Sequence, residues 1–272
     1  MLKGGLSVQA PAALFKQSWR GLHGWILAWW RLLITCAALL VLLLSPSSYR
    51  TLTRMSLAQH LVQAAAPMLV GFCVLTAIFT VMLTHIVVVT AHSYGLSQLA
   101  LQVVIRVLVL ELIPMTAVGF VALRCTIPDG AELARWLRTA GAVPTHAQVQ
   151  QLVLPRLAGA LFAGALLAAL ASVLALVVAY LVRYGFSASG LVAYTRLFGQ
   201  VFNPTVIFIL VSKLILLCLT VSLIPLASAL IDSRERPGTV AEVRTSAEMR
   251  ALVRMAVVVL AIEVASLVGN YA

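Results

Sequence analysis

Residues 55–105 contain no Asp, Glu, Lys or Arg. A helix that crosses a bilayer needs about 20 mostly apolar residues, so this uncharged stretch is long enough for two such helices. A turn-like cluster at residues 92–95 separates them. Of the 272 residues in the chain, 62% are hydrophobic and only 10% are charged, which excludes an ordinary soluble domain. The sequence therefore predicts an all-α, polytopic membrane protein.

Five apolar runs in the chain have the length of a membrane span. We predict transmembrane helices at about residues 61–90, 97–123, 157–182, 203–231 and 251–270. They make up a transmembrane domain over residues 55–272, and residues 1–54 form a separate N-terminal region.

The N-terminal region contains a further apolar run, at residues 22–45. A spanning helix usually has one positive flank and one flank that is poor in positive charge. This run is interrupted near its start by Arg31 and has cations on both sides, namely Lys16 and Arg20 before it and Arg50 and Arg54 after it. The pattern favours an interfacial helix at the cytoplasmic face of the membrane, and a true first span is the alternative.

The distribution of Lys and Arg among the loops predicts the orientation of the chain. Residues 124–156 carry four arginines and residues 232–254 carry five, whereas the 92–96 turn and the C-terminal tail carry none. We therefore expect the N-terminus and both arginine-rich segments in the cytoplasm, and the C-terminus outside. The formal net charge of +11 is then a topological signal, and nucleic acid is not an expected partner.

The loop after the second span predicts a short cytoplasmic helix over residues 130–140. Asp129 and Glu132 have the spacing of a capping box, and Gly141 and Pro144 follow as stop signals. One face of this helix is apolar and consists of Leu133, Trp136, Leu137 and Ala140. An exposed apolar face with a tryptophan is a candidate contact for a protein partner. A helix that lies on the lipid headgroups is the alternative.

Four ionisable residues lie well inside predicted spans, namely Arg106, Glu111, Lys213 and Glu263. Each costs about 2.5–3.5 kcal/mol at the centre of a transmembrane helix unless it finds a partner. Arg106 and Glu111 are five residues apart on one helix, so they point in different directions. We predict that Lys213 and Glu263 lie close together. The four residues serve either as ion pairs that fix the packing or as a polar lining for a substrate path.

Other motifs exclude several functions or concern only packing. Residues 160, 164, 168 and 172 are all small and predict a close approach between helices. The chain has no GxSxG, HExxH or GxxxxGK[ST] motif, and its four cysteines are scattered. We therefore expect no enzyme, no metal site and no cofactor on this chain.

Several short motifs occur in the order and spacing of a known family. They are Glu-Leu-Ile-Pro at 111–114 with Arg124, Glu-Leu-Ala-Arg-Trp-Leu at 132–137 with Gly141 and Pro144, Leu-Pro-Arg at 154–156, Ser-Lys at 212–213, and Arg250 with Glu263. In this order they resemble the MlaE-type permeases, the membrane subunits of the Mla/Mce lipid-transporting ABC systems. The resemblance covers about residues 50–272. The chain departs from the pattern at Leu110, where the family has an arginine.

The resemblance implies a permease that moves phospholipid or a related lipid between the membranes of a Gram-negative-type envelope. It implies a homodimer in the inner membrane, with the C-terminus in the periplasm. A cytoplasmic ABC ATPase would bind the ATP, and an MCE-type lipid-binding protein would sit on the periplasmic side. The 130–140 helix, with Glu132, Leu133, Trp136, Leu137 and Ala140, would be the coupling helix that contacts the ATPase.

Two other classes of function remain open at this point. A membrane scaffold without transport activity would use the ion pairs for packing and the 130–140 helix for docking. An ion-coupled secondary transporter would use the intramembrane charges as coupling sites, and that class commonly has inverted repeats. The two longest uncharged blocks of this chain do not resemble each other.

Overall fold

The computed structural model describes residues 10–45, 54–95, 97–140, 146–235 and 240–271, and these residues form no β-strand. The helices are α1 (Ala10–Leu44), α2 (Arg54–Ser93), α3 (Ser97–Ile105), α4 (Ile113–Val121), α5 (Ile127–Ala140), α6 (His146–Tyr184), α7 (Leu191–Val201), α8 (Pro204–Glu235) and α9 (Val240–Tyr271).

Six helical segments in the described residues are long and apolar enough to cross a membrane. They are Ile26–Leu44, Ala65–Ser93, Leu101–Thr139, Gln150–Tyr184, Pro204–Asp232 and Glu248–Gly269. The prediction of an all-α, polytopic membrane protein is thereby confirmed. Each of the five predicted spans overlaps one of these segments, and the sixth segment is the apolar part of α1.

Helix α1 packs along α8 and α6. It does so through Leu32, Leu39 and Leu42, which are buried in one apolar cluster with side chains of α5 and α8. The opposite side of α1 exposes large apolar residues such as Trp30 and Leu44. Its interfacial position stays a prediction, because its length and composition also permit a crossing.

The predicted turn between the first two spans is present. The amide of Gly95 donates to the carbonyl oxygen of His92 at 3.1 Å. Gly95 has a φ of +71°, a left-handed conformation that glycine adopts without a steric penalty. This turn ends α2 and lets the chain return as α3.

The prediction of a separate, capped helix at 130–140 is wrong. Residues 97–140 form one uninterrupted helical run, with π-helical segments at Arg106–Leu112 and Ala122–Thr126. Each π-helical segment ends two residues before a proline, Pro114 or Pro128. A proline has no N–H for the bond to residue i−4, and its ring crowds that carbonyl. The wider π turn gives the ring room, so the helix continues through Asp129 instead of beginning there.

The small residues of α6 are packing positions, as predicted. Ala160 and Ala168 are buried in the cluster that joins α6 to α2, the pair of helices with the most extensive contact. Gly164 faces α8, where a Cβ atom on it would lie 3.0 Å from the Sγ atom of Cys218. Small side chains thus let α6 approach two neighbours at once.

Helix α5 packs closely on α8 at Gly130, where a Cβ atom would lie 3.0 Å from the carbonyl oxygen of Pro225. We expect Gly130→Leu to destabilise the protein by about 1–3 kcal/mol, because the added side chain must push the two helices apart. Thermal unfolding in detergent measures the effect. Gly119→Leu is the matched control, since nothing lies within 4 Å of a Cβ atom there. Equal unfolding temperatures for the two variants would contradict this packing.

Candidate functional site: a buried ion cluster and the end of helix α5

The ion cluster is centred on Lys213 of α8, whose side chain is almost fully buried. Its Nζ atom lies 2.6 Å from Oε2 of Glu263 on α9 and also binds Oε2 of Glu111. It donates a third hydrogen bond, of 3.1 Å, to the carbonyl oxygen of Leu110. The predicted pairing of Lys213 with Glu263 is confirmed. One ammonium group thus joins three parts of the bundle.

The backbone acceptor in this cluster follows from the sequence. Pro114 has no N–H to donate to the carbonyl of Leu110, four residues earlier. In a membrane such a carbonyl needs another donor, because water is not there to supply one. Lys213 fills that role while its charge also pairs with the two glutamates. The proline and the lysine are therefore parts of the same site.

Arg106 does not belong to the cluster, although it is the fourth of the ionisable residues singled out by the sequence. Its Nε atom is buried without a hydrogen-bond partner among the described residues, and Lys213, which is also a cation, cannot pair with it. The structure therefore brings together three of the four residues. Glu111 instead bonds across to Lys213 of α8.

A groove of about 440 Å³ lies between α8 and α9, beside the ion cluster. Its polar lining residues include Ser212, Lys213 and Ser266, and its apolar lining residues include Phe208 and Leu216. The ion cluster thus fixes three helices and at the same time borders a space of the size that an apolar ligand would occupy.

The end of α5 differs from the expected exposed apolar face. Leu133 is 1% exposed and Leu137 is also buried, because this face packs on α8 and α9. Trp136 remains 37% exposed, and Glu132 and Arg135 are exposed beside it. The side chain of Ala140 is outside the described residues. The surface that α5 offers a partner is therefore Glu132, Arg135 and Trp136, and Leu133 with Leu137 anchors the helix to the bundle.

Two arginines hold α5 in place, one on the neighbouring helix α6 and one on α5 itself. Arg156 of α6 binds Oε2 of Glu132 at 3.3 Å and donates to the carbonyl oxygen of Asp129. Arg138 of α5 donates to the carbonyl oxygen of Asp232 at 3.2 Å. These bonds, together with the buried leucines, connect any movement of α5 to α6 and α8.

Asp232 at the end of α8 is a functional candidate that the sequence reading missed. It is 5% exposed, and its Oδ2 atom accepts hydrogen bonds of 3.3 and 3.2 Å from Nε and Nη2 of Arg250 on α9. Its carbonyl also holds Arg138. Asp232 therefore ties α5, α8 and α9 together, at one end of the two helices that carry Lys213 and Glu263. A lone Asp at the edge of an apolar run was the available signal.

A family model described as Permease MlaE matches residues 57–268. The match covers most of the chain and includes the ion cluster, α5 and Asp232. The chain belongs to the MlaE permease family. No curated protein sequence matches it significantly. As an MlaE-family member with six candidate spans, it is a membrane permease of lipid-transport ABC systems.

Within this MlaE-family permease the match begins after α1, at residue 57. The matched residues lie in α2 to α9, and α1, which packs on α8, lies outside the match. The described residues contain no group of three or more His, Cys, Asp or Glu arranged to hold a metal ion.

Proposed function

We propose that this permease moves phospholipid or a related lipid between the membranes of a two-membrane envelope, driven by a separate ABC ATPase. One observation carries the proposal. The helical run from Ser97 to Ala140 has Glu111 in the buried ion cluster and, without a break, Trp136 at its exposed end. A push on α5 therefore reaches the ion cluster through one continuous element.

Packing and ion pairs support this coupling. Interfaces and packed cores respond to a displacement by switching between discrete arrangements, not by gradual deformation. Helix α5 is held to α8 by Gly130 against Pro225 and by Arg138 on Asp232. When the ATPase closes, α8 and α9 would shift together with α5. The groove between them would then change its shape and its access to lipid.

The family supports the assignment of partners. We infer a homodimer with two ATPase chains on the cytoplasmic side and an MCE-type lipid-binding protein on the periplasmic side. ATP would bind to the ATPase, and this chain would need no cofactor of its own. The exposed residues Glu132, Arg135 and Trp136 would form the contact with the ATPase, because a partly buried tryptophan is a frequent anchor in protein interfaces.

The proposed location is the inner membrane, with the N-terminus in the cytoplasm and the C-terminus in the periplasm. The arginine-rich segments 124–156 and 232–254 support this orientation. A reporter fused before residue 10 should be active only in the cytoplasm, because positive charge flanks residues 22–45 on both sides. A reporter that is active only in the periplasm would contradict the interfacial placement of α1 and would make it a sixth span.

Copurification tests the proposed partnership. The tagged permease, extracted from its own membranes in mild detergent, should bring with it a protein with a Walker A phosphate loop, and the purified complex should hydrolyse ATP. A permease that is folded, monodisperse and free of any such protein would instead favour a scaffold function. The matched control is Trp136→Ala, which should be inserted normally and should lose the ATPase.

A further inference from the structure

Asp232 bonds to two neighbouring helices through two different atoms. Its backbone carbonyl oxygen accepts a hydrogen bond of 3.2 Å from Nη2 of Arg138 on α5. Its carboxylate oxygen Oδ2 accepts bonds of 3.3 and 3.2 Å from Nε and Nη2 of Arg250 on α9. The first bond uses only the backbone of residue 232, so it does not depend on the side chain there. The links to α5 and to α9 can therefore be removed one at a time.

The link to α5 is a helix cap that another helix supplies. The carbonyl of Asp232 lies in the last turn of α8, which ends at Glu235, and carbonyls at the end of a helix lack a donor within it. A cation is also favourable at that end of a helix. Arg138 follows two residues after Trp136, which we propose as a contact with the ATPase. A displacement of the end of α5 therefore reaches the end of α8 directly.

The link to α9 is a largely buried ion pair. The side chain of Asp232 is 7% exposed and that of Arg250 is 28% exposed. Charge-assisted hydrogen bonds of this kind are about twice as strong as neutral ones. A carboxylate near the C-terminus of a helix is otherwise unfavourable, so a local role within α8 does not account for Asp232. Its side chain is explained by the bond to α9.

Movement of α9 matters because this helix carries part of the ion cluster. Glu263 lies thirteen residues after Arg250 on α9, and its Oε2 atom is 2.6 Å from Nζ of Lys213. A second side-chain bond joins α8 and α9 one turn away from Asp232, where Nη1 of Arg254 donates to Oγ of Ser228 at 3.3 Å. That bond has a neutral acceptor, so it is a natural comparison for the charged one.

We propose that Asp232 is a positioning residue that passes movement of α5 on to α9 through its bond to Arg250. With this bond in place, α9 follows when the ATPase displaces α5, and the ion cluster and the groove follow with it. Without it, α5 and α8 still move together through Arg138, but α9 no longer follows. ATP is then hydrolysed with little movement of lipid. The inference rests on the proposed function and adds the residue that couples hydrolysis to transport.

The test measures the number of lipid molecules moved per ATP hydrolysed. The permease and its copurified ATPase are reconstituted in proteoliposomes with a fluorescent phospholipid, and lipid transfer to or from the MCE-type protein is compared with phosphate release. Asp232→Asn keeps the shape of the side chain and the bond from Arg138 but removes the charge. We expect ATP hydrolysis to continue and the ratio to fall about tenfold, within the range of about 5–150-fold that is typical of coupling between two sites. A loss of stability alone would lower hydrolysis and transfer together and would leave the ratio unchanged.

Two further variants make the test specific to this bond. Arg250→Gln removes it from the more exposed partner and should lower the ratio equally, so this variant decides the question if Asp232→Asn fails to insert. The double variant should be no worse than either single variant, because residues that act as one unit are not additive. Ser228→Ala, the matched control, removes the neutral bond between the same two helices and should lower the ratio much less.

An unchanged ratio, a proportionate loss of hydrolysis and transfer, or an equal effect of Ser228→Ala would overturn the proposal. Failure of both Asp232→Asn and Arg250→Gln to insert would show a purely structural role and would overturn it too. If the parent complex itself moves no lipid with ATP, the proposed function fails and this inference fails with it. If the parent moves lipid and the variants keep its ratio, only this inference fails.

Discussion

Lys213→Met should destabilise the permease by about 3–5 kcal/mol, the typical cost of removing one partner from a buried ion pair. The substitution leaves the carboxylates of Glu111 and Glu263 buried, close to the same point and without a counter-charge. It also removes the hydrogen bond that Lys213 donates to the carbonyl of Leu110. That carbonyl cannot accept from residue 114 instead, because Pro114 has no N–H. Thermal unfolding and the yield of inserted protein measure the loss. A variant that unfolds at the temperature of the parent would contradict the geometry of the cluster.

A matched variant separates packing from transport. Replacing all three residues, as Glu111→Leu, Lys213→Met and Glu263→Leu, should restore much of the stability, because apolar groups can replace a complete buried ion cluster at little cost. If this variant is stable and still transports lipid, the cluster serves packing alone. If it is stable and inactive, the charges take part in transport. A stability as low as that of Lys213→Met would argue against the cluster as a self-contained unit.

Trp136→Ala should weaken binding of the ATPase by about 2 kcal/mol or more, or roughly 30-fold, if the tryptophan is an interface anchor. The residue is 37% exposed at the end of α5, so the protein should still fold and insert. Copurification and titration with the isolated ATPase measure the change. Undiminished binding of the ATPase would contradict Trp136 as the interface anchor and would remove the contact on which the proposed coupling rests.

Leu133→Ala is the structural control for that experiment. Leu133 is buried against α8, so its truncation should cost about 2–5 kcal/mol of stability. The affinity of the remaining folded protein for the ATPase should stay unchanged. Arg135→Ala, on the exposed side with Trp136, should weaken binding less than Trp136→Ala, because arginine at an exposed rim contributes modestly.

The sequence predicts the long-range architecture well because hydropathy and charge determine it directly. The uncharged stretch 55–105 forms helices, with a turn at 92–95, because unpaired backbone groups are costly in lipid. The contact between Lys213 and Glu263 follows from the cost of a lone charge in the membrane. Each of these costs is large, so any fold of this sequence must avoid it.

The sequence was misleading where one residue pattern fits two different structures. Leu133, Trp136 and Leu137 have the spacing of a docking face and equally of a face that packs on the bundle. Only the position of α8 and α9 decides between the two. Asp129 with Glu132 has capping spacing, but the π turn before Pro128 carries the helix through that point. Asp232 was missed because its partners Arg138 and Arg250 are distant in sequence.

ATP-driven lipid transfer tests the central claim most directly. Proteoliposomes that contain the permease with its ATPase, and a fluorescent phospholipid, are mixed with the MCE-type protein, and the fluorescence associated with that protein is followed over time. We predict lipid transfer that requires hydrolysable ATP and that is lost with Trp136→Ala. Transfer at the same rate without ATP, or no transfer in either direction by a stable complex that hydrolyses ATP, would contradict the account.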